Sequence, residues 1–273
     1  MNVCICTIIK NEHEYLEDWI RYTLNLGIDK IFIVEDIGSE SHASIIEKYS
    51  DNIEVLNIPC NDENTLEYGT RQRYFQAKMF EYVKNLKTYD WCFIMDVDEY
   101  ITIDCNMSLK ELLKQYENYS ELIIYWINYG ANSHINKPDY TKVKSYRDYY
   151  TKECNYSVID EKFSFFMKKA INLHKIPDNY TISQHFHSMA TYTKTNFKQG
   201  IRIPCYSKMY LSHYVTKSWE EYIWKLLCRG MCCKEHRKTD DFFEMNTDLR
   251  CRKEELENMI PSIIEKYQKN GTN

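Results

Sequence analysis

The sequence predicts an α/β protein with a doubly wound, largely parallel sheet, and three observations carry that prediction. Short apolar runs of strand length recur through the first hundred residues. Amphipathic stretches with a helical spacing of apolar residues separate these runs. Residues that start or end helices stand between the two kinds of segment. Such alternation is typical of a sheet whose two faces are both covered by helices.

The first two strands and the helix between them are well marked. Residues 3–9 form a continuous apolar run, which predicts a buried strand. Asn11 followed by Glu14 predicts a capping-box-like start to a helix, and Gly27 predicts its end. The buried stripe of this helix is predicted at Leu16, Trp19, Ile20 and Thr23. Residues 31–34 then predict a second strand, reached by a βαβ crossover.

Two further strand segments complete the parallel pattern. A short helix near 41–49 is predicted to precede a strand at 53–58, and a longer helix from about 70 to 86 leads into an apolar strand that ends at Asp96. No Gly-x-Gly-x-x-Gly follows the first strand, and no Gly-Lys-Ser/Thr loop occurs in the sequence. The usual dinucleotide-binding and P-loop interpretations are therefore excluded.

Beyond residue 120 the apolar periodicity changes, and long polar connections separate the predicted elements. Strands are predicted at residues 121–127, 162–168 and 208–214. A helix over 218–229 opens with Ser218 and Glu221 in a second capping box. Pro261 is predicted to start the last helix, since proline is well tolerated in the first turn.

Length and composition predict a compact globular protein. The 273 residues can form one large domain with an appendage, and we expect a domain over 1–235 followed by a helical extension over 236–273. A hydrophobic content of 44% with only 7 Gly and 5 Pro excludes a disordered chain. The net charge of -5 argues against general nucleic-acid binding. We interpret the 24 Tyr as a bias of composition that accompanies abundant Asn, Lys and Ile.

The cysteines and the apolar segments bear on location. Eleven Cys, an odd number without a paired framework, predict reduced thiols in the cytosol. A zinc site is conceivable at Cys228, Cys232, Cys233 and His236, but no Cys-x-x-Cys knuckle supports it. The apolar start has no basic leader or cleavage site, and no segment approaches the ~20 apolar residues of a spanning helix.

The stretch Trp91-Cys92-Phe93-Ile94-Met95-Asp96-Val97-Asp98-Glu99-Tyr100 is the most informative in the chain. Asp96 and Asp98 stand just past the predicted carboxyl end of a buried strand, where open α/β sheets bind ligands. Two hard oxygen ligands suit Mg²⁺ or Mn²⁺, which keep open positions for phosphate oxygens. The motif therefore predicts a metal-bridged diphosphate. The alternative is that these acids only cap a helix or face solvent.

Several motifs, taken in order, resemble glycosyltransferase family 92, a relative of the family 2 enzymes. The matching segments are Ile9-Lys10-Asn11-Glu12, Tyr15 to Gly27, Arg71-Gln72, Asp96 to Tyr100, His213-Tyr214, Ser218 to Glu221, and Lys225 to Gly230. The resemblance covers about residues 3–230. It implies a GT-A fold with a mixed, mostly parallel sheet and metal-dependent, inverting transfer of a sugar from a UDP-sugar, with galactose as the favoured sugar.

The resemblance also implies roles near the diphosphate. Asp96 and Asp98 would hold the cation against the phosphates, and His213 would be the third metal ligand. Lys225 and Arg229, four residues apart, share one helix face and could meet the diphosphate, although a solvated face is the alternative.

A second group of residues is implied at the nucleoside. Asn11, Glu12, Asp36 and Arg71 fall where related enzymes hold uracil and ribose. Carboxylates accept from base N–H groups and ribose hydroxyls, and arginine donates to base carbonyls. The chain departs from its relatives after the second strand, where it has Glu35-Asp36-Ile37-Gly38-Ser39 in place of Asp-Asn-x-Ser or Asp-Asp-Gly-Ser.

Inversion requires a base that takes the proton of the acceptor hydroxyl from the side opposite the leaving diphosphate. The candidates lie between residues 126 and 161 and are His134, Asp148, Asp160 and Glu161. His134 is favoured because the family's Trp-x-x-Phe-Gly segment with a following His resembles Trp126 to His134. Trp126 and Tyr129 would offer apolar faces to the acceptor sugar, or serve only as core aromatics.

Two other functions compete with this hypothesis. A phosphatase of the haloacid dehalogenase type also places Asp-x-Asp after an apolar strand, but it requires Thr or Val where this chain has Tyr100. A catalytically silent protein that binds a sugar nucleotide could keep the same fold. We expect a bacterial cytoplasmic transferase that adds a sugar to a glycan or lipid-linked saccharide in surface polysaccharide synthesis, with peripheral contact at the inner face of the membrane.

Overall fold

The computed structural model describes residues 1–60, 68–154, 167–182, 200–203, 208–229 and 238–270. At residues 68–70, 167, 200–203, 228–229 and 270 it describes the backbone only. Within these ranges nine strands join in one sheet. The strands are β1 Val3–Ile9, β2 Lys30–Glu35, β3 Ile53–Val55, β4 Trp91–Ile94, β5 Glu99–Ile103, β6 Glu121–Asn128, β7 Met167–Asn172, β8 Gly200–Ile203 and β9 Met209–His213.

The sheet is mixed and mostly parallel, which confirms the predicted α/β class. Its order is β3-β2-β1-β4-β7-β6-β9-β5, and β8 pairs with the first half of β6. Strands β1 to β4 are parallel, β7 runs antiparallel to both β4 and β6, and β9 returns parallel to β6. The carboxyl ends of β1, β2, β4, β6 and β9 therefore meet at one edge of the sheet, as do the amino ends of β7 and β5.

The described helices are α1 His13–Asn25, α2 Ala43–Ile46, α3 Tyr68–Leu86, α4 Leu109–Gln115, α5 Trp219–Ile223, α6 Thr239–Met245, α7 Lys253–Asn258 and α8 Ile260–Asn270. A π-helical segment, Trp224–Arg229, continues α5. Side chains of β1 alternate between two apolar clusters, so helices cover both faces of the sheet. The predicted stripe of α1 is buried, and the Trp19 indole donates to the Glu99 carbonyl oxygen at 2.8 Å.

Several local predictions were wrong or incomplete. No capping box starts α1, because Asn11 lies in the left-handed region (φ 51°) and its side chain accepts from the Glu40 N–H instead. Strand β3 is shorter than predicted, since Val55 is already exposed. Strand β5, directly after the acidic motif, was not predicted. Strand β7 reaches Asn172, past the predicted end at residue 168, and residues 162–166 of that prediction lie outside the described ranges.

Two other predictions about helix starts were confirmed. The Ser218 hydroxyl accepts from the Glu221 N–H, and the Glu221 carboxylate accepts from the Ser218 N–H, which completes the predicted capping box of α5. Pro261 is the second residue of α8. Trp219 and Tyr222 of α5 pack with Phe242, Phe243, Leu249, Leu256 and Ile263 in a separate apolar cluster.

No helix among the described residues is long and apolar enough to cross a membrane.

Candidate active site

The predicted site residues come from loops and strand ends that share the carboxyl edge of the sheet. Glu12 follows β1, Asp36 follows β2, and Asp96 and Asp98 lie between β4 and β5. His213 is the last residue of β9. Because these strands run in one direction or begin at this edge, side chains far apart in sequence meet there.

Asp36 forms a buried bidentate ion pair with Arg71 of α3. Nε of Arg71 lies 2.6 Å from Oδ1 and its Nη2 lies 2.8 Å from Oδ2, and Lys10 Nζ adds a contact at 3.2 Å. Burial alone would raise the pKa of Asp36, but Arg71 and Lys10 outweigh it and hold that pKa below its ordinary value. Two residues that sequence placed at the nucleoside are therefore held together as one rigid, charged unit.

The loop after β1 is tied to the loop after β2. The Asn11 N–H donates to the Ser39 hydroxyl at 3.1 Å, and the Glu12 N–H donates to Nε2 of His42 at 2.9 Å. His42 donates from Nδ1 to the Glu35 carboxylate at 2.8 Å. Because Nε2 of His42 accepts a hydrogen bond, the ring is neutral and carries its proton on Nδ1. The imidazole is fully buried and links the two loops.

His42 makes stability depend on pH. Burial lowers the pKa of His42 below its ordinary value, with Glu35 opposing. The unfolded chain binds the proton first on acidification, so the stability that neutral His42 provides is complete above about pH 6.5 and is lost as pH falls below it. In the His42→Gln variant we expect the free energy of unfolding to depend less steeply on pH, by up to ~1.4 kcal/mol per pH unit. Urea denaturation between pH 5 and 8 tests it, and a His42→Gln protein that keeps the full pH dependence of the wild type would contradict this role.

Asp96 is bound by two side chains from other elements. Nε2 of Gln72 lies 3.1 Å from Oδ1, and Nζ of Lys168 lies 2.8 Å from Oδ2. Lys168, on β7, is 1% exposed and also lies 3.4 Å from Oε1 of the fully buried Glu99. Burial alone would lower the pKa of Lys168, but the two carboxylates raise it above its ordinary value. Sequence reasoning missed Lys168, whose only signal was a charge inside an apolar strand pattern.

Asp98 has a separate set of partners. Its Oδ2 lies 2.6 Å from Nζ of Lys225, and its Oδ1 lies 3.8 Å from Nε2 of His213. Nδ1 of His213 contacts Oδ1 of Asn128 at 2.9 Å, which orients the ring. Burial alone would raise the pKa of Asp98, but Lys225, His213 and Lys217 hold it well below its ordinary value. Asp98 is therefore an ionised carboxylate in a basic surrounding.

The three predicted metal ligands are not gathered around one point. Across the described ranges, no group of three or more His, Cys, Asp or Glu side chains is arranged to hold a metal ion. Asp98 and His213 are adjacent and supply one oxygen and one nitrogen donor, a set that suits Mn²⁺. Asp96 points to Lys168 and Gln72, because the buried lysine of β7 needs a counter-ion.

The predicted acceptor residues border this cluster. The Trp126 ring lies 4.3 Å from the His213 ring, and the Tyr129 ring stacks on Tyr214 at 4.9 Å. Both are partly exposed, so their faces could contact a sugar.

Of the base candidates, His134 and Asp148 lie in described segments. The His134 ring meets the edges of Tyr149 and Tyr150 at 5.4 and 5.7 Å. The Asp148 carboxylate accepts from the Ser145 N–H at 3.2 Å in a local cap. Asp160, Glu161 and the side chain of Arg229 lie outside the described residues, as do Cys232, Cys233 and His236 of the conceivable zinc site.

Glu221 organises a cluster that sequence reasoning recognised only in part. Its buried carboxylate accepts hydrogen bonds from the hydroxyls of Tyr15, Tyr140 and Tyr150, the last two at 2.5 and 2.7 Å. The Ser218 hydroxyl donates at 2.6 Å. The capping pattern identified Glu221, but nothing in the local sequence pointed to three tyrosines from distant segments. These tyrosines therefore have a structural role beyond a bias of composition.

The Glu221→Gln variant should be destabilised by about 1–3 kcal/mol, because the amide nitrogen cannot accept and leaves buried phenol hydroxyls without an acceptor. The free energy of unfolding from urea denaturation measures this. Glu244→Gln is a suitable control on the partly exposed surface of α6. Equal stability of the Glu221 variant and the wild type would contradict the assigned role.

Comparison with known proteins adds sequence relatives. No protein-family model matches the chain. A protein of Oryza sativa subsp. japonica named as glycosyltransferase family 92 is 23% identical over 227 residues, which cover 81% of this chain and 34% of that protein. A Ricinus communis protein of the same family name is 21% identical over 224 residues, which cover 81% of this chain and 36% of that protein. The chain is related to glycosyltransferase family 92.

The chain spans about a third of the length of these family 92 relatives. Weak similarity to solved structures is also found. HddC from Yersinia pseudotuberculosis matches with a TM-score of 0.38 at 10% identity, over 78% of this chain and 93% of HddC. Core-mannan synthase A from Aspergillus fumigatus, in a Mn/GDP form, matches with a TM-score of 0.35 at 10% identity, over 64% of this chain and 60% of that protein.

Proposed function

We propose that this chain is a glycosyltransferase that moves a sugar, with galactose favoured, from a UDP-sugar to a hydroxyl of a glycan or lipid-linked saccharide. The single observation that carries the proposal is the meeting of two charged units at one sheet edge. These are the Asp36–Arg71 pair and the Asp98–His213–Lys225 cluster. The family 92 relatives supply the reaction class.

The nucleoside end of the donor is assigned to the loops after β1 and β2. Asn11 and His42 fix these loops, so the Glu12 and Asp36 carboxylates keep their positions before ligand arrives. Arg71 donates to Asp36 through Nε and Nη2, and a guanidinium group held in this way can also donate to a base carbonyl. Positions fixed in advance reduce the entropy lost on binding.

The diphosphate end is assigned to the Asp98 cluster. Asp98 and His213 would hold a divalent cation, Mn²⁺ or Mg²⁺, and Asp96 would join them only on release from Lys168 and Gln72. When bound, that ion would supply positive charge to the leaving diphosphate. Lys225 adds a fixed ammonium beside the same carboxylate, and Arg229 follows on the π-helical segment. Positive charge fixed where negative charge develops is the largest single contribution in many enzymes.

The acceptor is assigned to the side of Trp126 and Tyr129. Its hydroxyl oxygen would attack the anomeric carbon while a base removes the proton, which inverts the configuration. His134 is our first candidate for that base, with Asp160 and Glu161 as the others. We further propose that residues 236–273 form a helical extension of the 1–235 domain. A bacterial cytoplasmic setting at the inner face of the membrane, in surface polysaccharide synthesis, would suit a lipid-linked acceptor.

A thermal-shift panel of nucleotide sugars, with and without Mn²⁺, tests the proposal. A ligand that binds only the folded state raises the melting temperature, and we expect UDP-sugars to do so more strongly with Mn²⁺. Slow, metal-dependent release of UDP without acceptor would then separate an active transferase from a silent binding protein. Failure of every nucleotide sugar to shift the transition would overturn the assignment. Release of inorganic phosphate from simple phosphoesters would favour a phosphatase.

A further inference from the structure

A small recess that is open to solvent adjoins the Asp98 cluster. Glu12 and Tyr15 line it from the start of α1, and Thr216, Lys217 and Lys225 line it from the segment around α5. Lys225 belongs to both places, since its ammonium also binds Asp98. We call Thr216, Lys217 and Lys225 the anion pocket.

Lys217 is a buried cation held by aromatic faces. It is 5% exposed, and its Nζ lies 4.2 Å from the centroid of the Tyr15 ring and 5.6 Å from that of Tyr146. Among the described residues no carboxylate lies within 4.0 Å of this ammonium. Its backbone is in the left-handed region, with φ 54°, which is unfavourable for lysine. Both features cost stability, and they are typical of positions that serve a ligand.

Thr216 supplies an independent observation. Its side chain is 2% exposed, and its hydroxyl has no hydrogen-bond partner within the described part of the chain. A buried hydroxyl without a partner is unfavourable, so such groups call for an explanation. Thr216 lines the same recess as Lys217 and Lys225, and a hydroxyl donor with two ammonium groups is a set that can bind a phosphate oxygen.

The acids of the recess restrict the ligand further. The Glu221 carboxylate is occupied by three phenols and Ser218. Glu12 also lines the recess, and a carboxylate at the rim of an anion site is compatible with a ligand that offers hydroxyl donors beside its negative charge. A phosphate joined to a sugar or ribose meets both requirements, whereas a bare anion meets only one.

We propose that Thr216 and Lys217, together with Lys225, bind a phosphate of the donor's diphosphate. This inference rests on the proposed function, and it adds two binding residues to the diphosphate end. The Lys217 ammonium would then gain a direct ion pair in addition to its contacts with the Tyr15 and Tyr146 rings, and the Thr216 hydroxyl would gain an acceptor.

Calorimetric titration with UDP and with inorganic pyrophosphate, in the absence of metal, tests the pocket. We expect Lys217→Met to weaken UDP binding about tenfold or more, and Thr216→Val about three- to tenfold, as for charged and neutral hydrogen bonds. The melting temperature of Thr216→Val should be equal to or above that of the wild type, because valine removes a hydroxyl that lacks a partner.

Two matched controls accompany these variants. Thr7→Val removes another buried hydroxyl without a partner in the described chain, on β1 and outside the recess lining. Lys110→Met removes a half-exposed ammonium that pairs with Asp29, next to the amino end of β1. Both should bind UDP as the wild type does.

The outcomes separate the pocket from the proposed function. UDP affinities of the Thr216 and Lys217 variants equal to those of the two controls would overturn the pocket and leave the transferase assignment standing. If no UDP-sugar binds, pyrophosphate binding that depends on Lys217 would support the pocket without the assignment. If the wild-type protein binds neither UDP nor pyrophosphate, the pocket is overturned together with the transferase assignment.

Discussion

The Asp98→Asn variant is expected to lose about 10²–10³-fold in turnover, as for the removal of one preorganised electrostatic group. Asp98 is 7% exposed and holds Lys225 and His213 through its two oxygens. Asparagine keeps the shape but lacks the charge, so it can neither balance the Lys225 ammonium nor bind a cation with the same strength. The initial rate of UDP release from a UDP-sugar, with acceptor present, measures the effect.

The control for this variant is Asp104→Asn, which changes an exposed aspartate six residues further along the same segment. It should keep wild-type turnover. Melting temperatures of both variants show whether the fold is intact. Transfer by Asp98→Asn within a few-fold of the wild-type rate would remove Asp98 from the chemistry.

Sequence alone located the parallel half of the sheet and its edge. Apolar runs bounded by polar residues marked β1, β2 and β4, and parallel strands must end at a common edge. The positions of Asp36, Asp96 and Asp98 at that edge followed from this rule. His213 came from the family resemblance rather than from periodicity.

The side-chain partners at this edge could not be predicted. Lys168 meets Asp96 only because β7 enters the sheet antiparallel beside β4, 72 residues away in sequence. Strand β5 was missed because Glu99 and Tyr100 continue an acidic motif, although its pairing with β9 places His213 opposite Glu99. Pairings between distant segments are set by tertiary packing, which local patterns do not contain.

The tyrosines illustrate the same limit. Their number suggested a bias of composition, whereas Tyr15, Tyr140 and Tyr150 converge on one buried carboxylate. A hydroxyl on an aromatic ring can fill a core position and still satisfy a buried acid. Composition cannot separate that use from a neutral excess, because Tyr15 lies more than a hundred positions before the other two and all three are distant in sequence from Glu221.

The Lys168→Met variant is expected to lose about 3–5 kcal/mol in the free energy of unfolding, as when one partner of a buried ion pair is removed. Methionine fills a similar volume, so the loss would come from charge rather than from a cavity. Asp96 is partly exposed and can be hydrated, but the fully buried Glu99 has no access to solvent. Burial together with Asp96 and Asp98 already raises the pKa of Glu99 well above its ordinary value, with Lys168 opposing.

Urea denaturation at neutral pH measures the Lys168→Met effect, and Lys175→Met, at an exposed lysine in the turn after β7, is the matched control. Adding Glu99→Gln to the Lys168 variant should recover part of the loss, because a neutral amide needs no counter-ion. Adding Asp96→Asn should recover less, since that carboxylate is partly hydrated. Breaking a buried ion pair usually costs several kcal/mol. If the free energy of unfolding of Lys168→Met lay within about 1 kcal/mol of the wild-type value, this lysine would not neutralise the acidic motif.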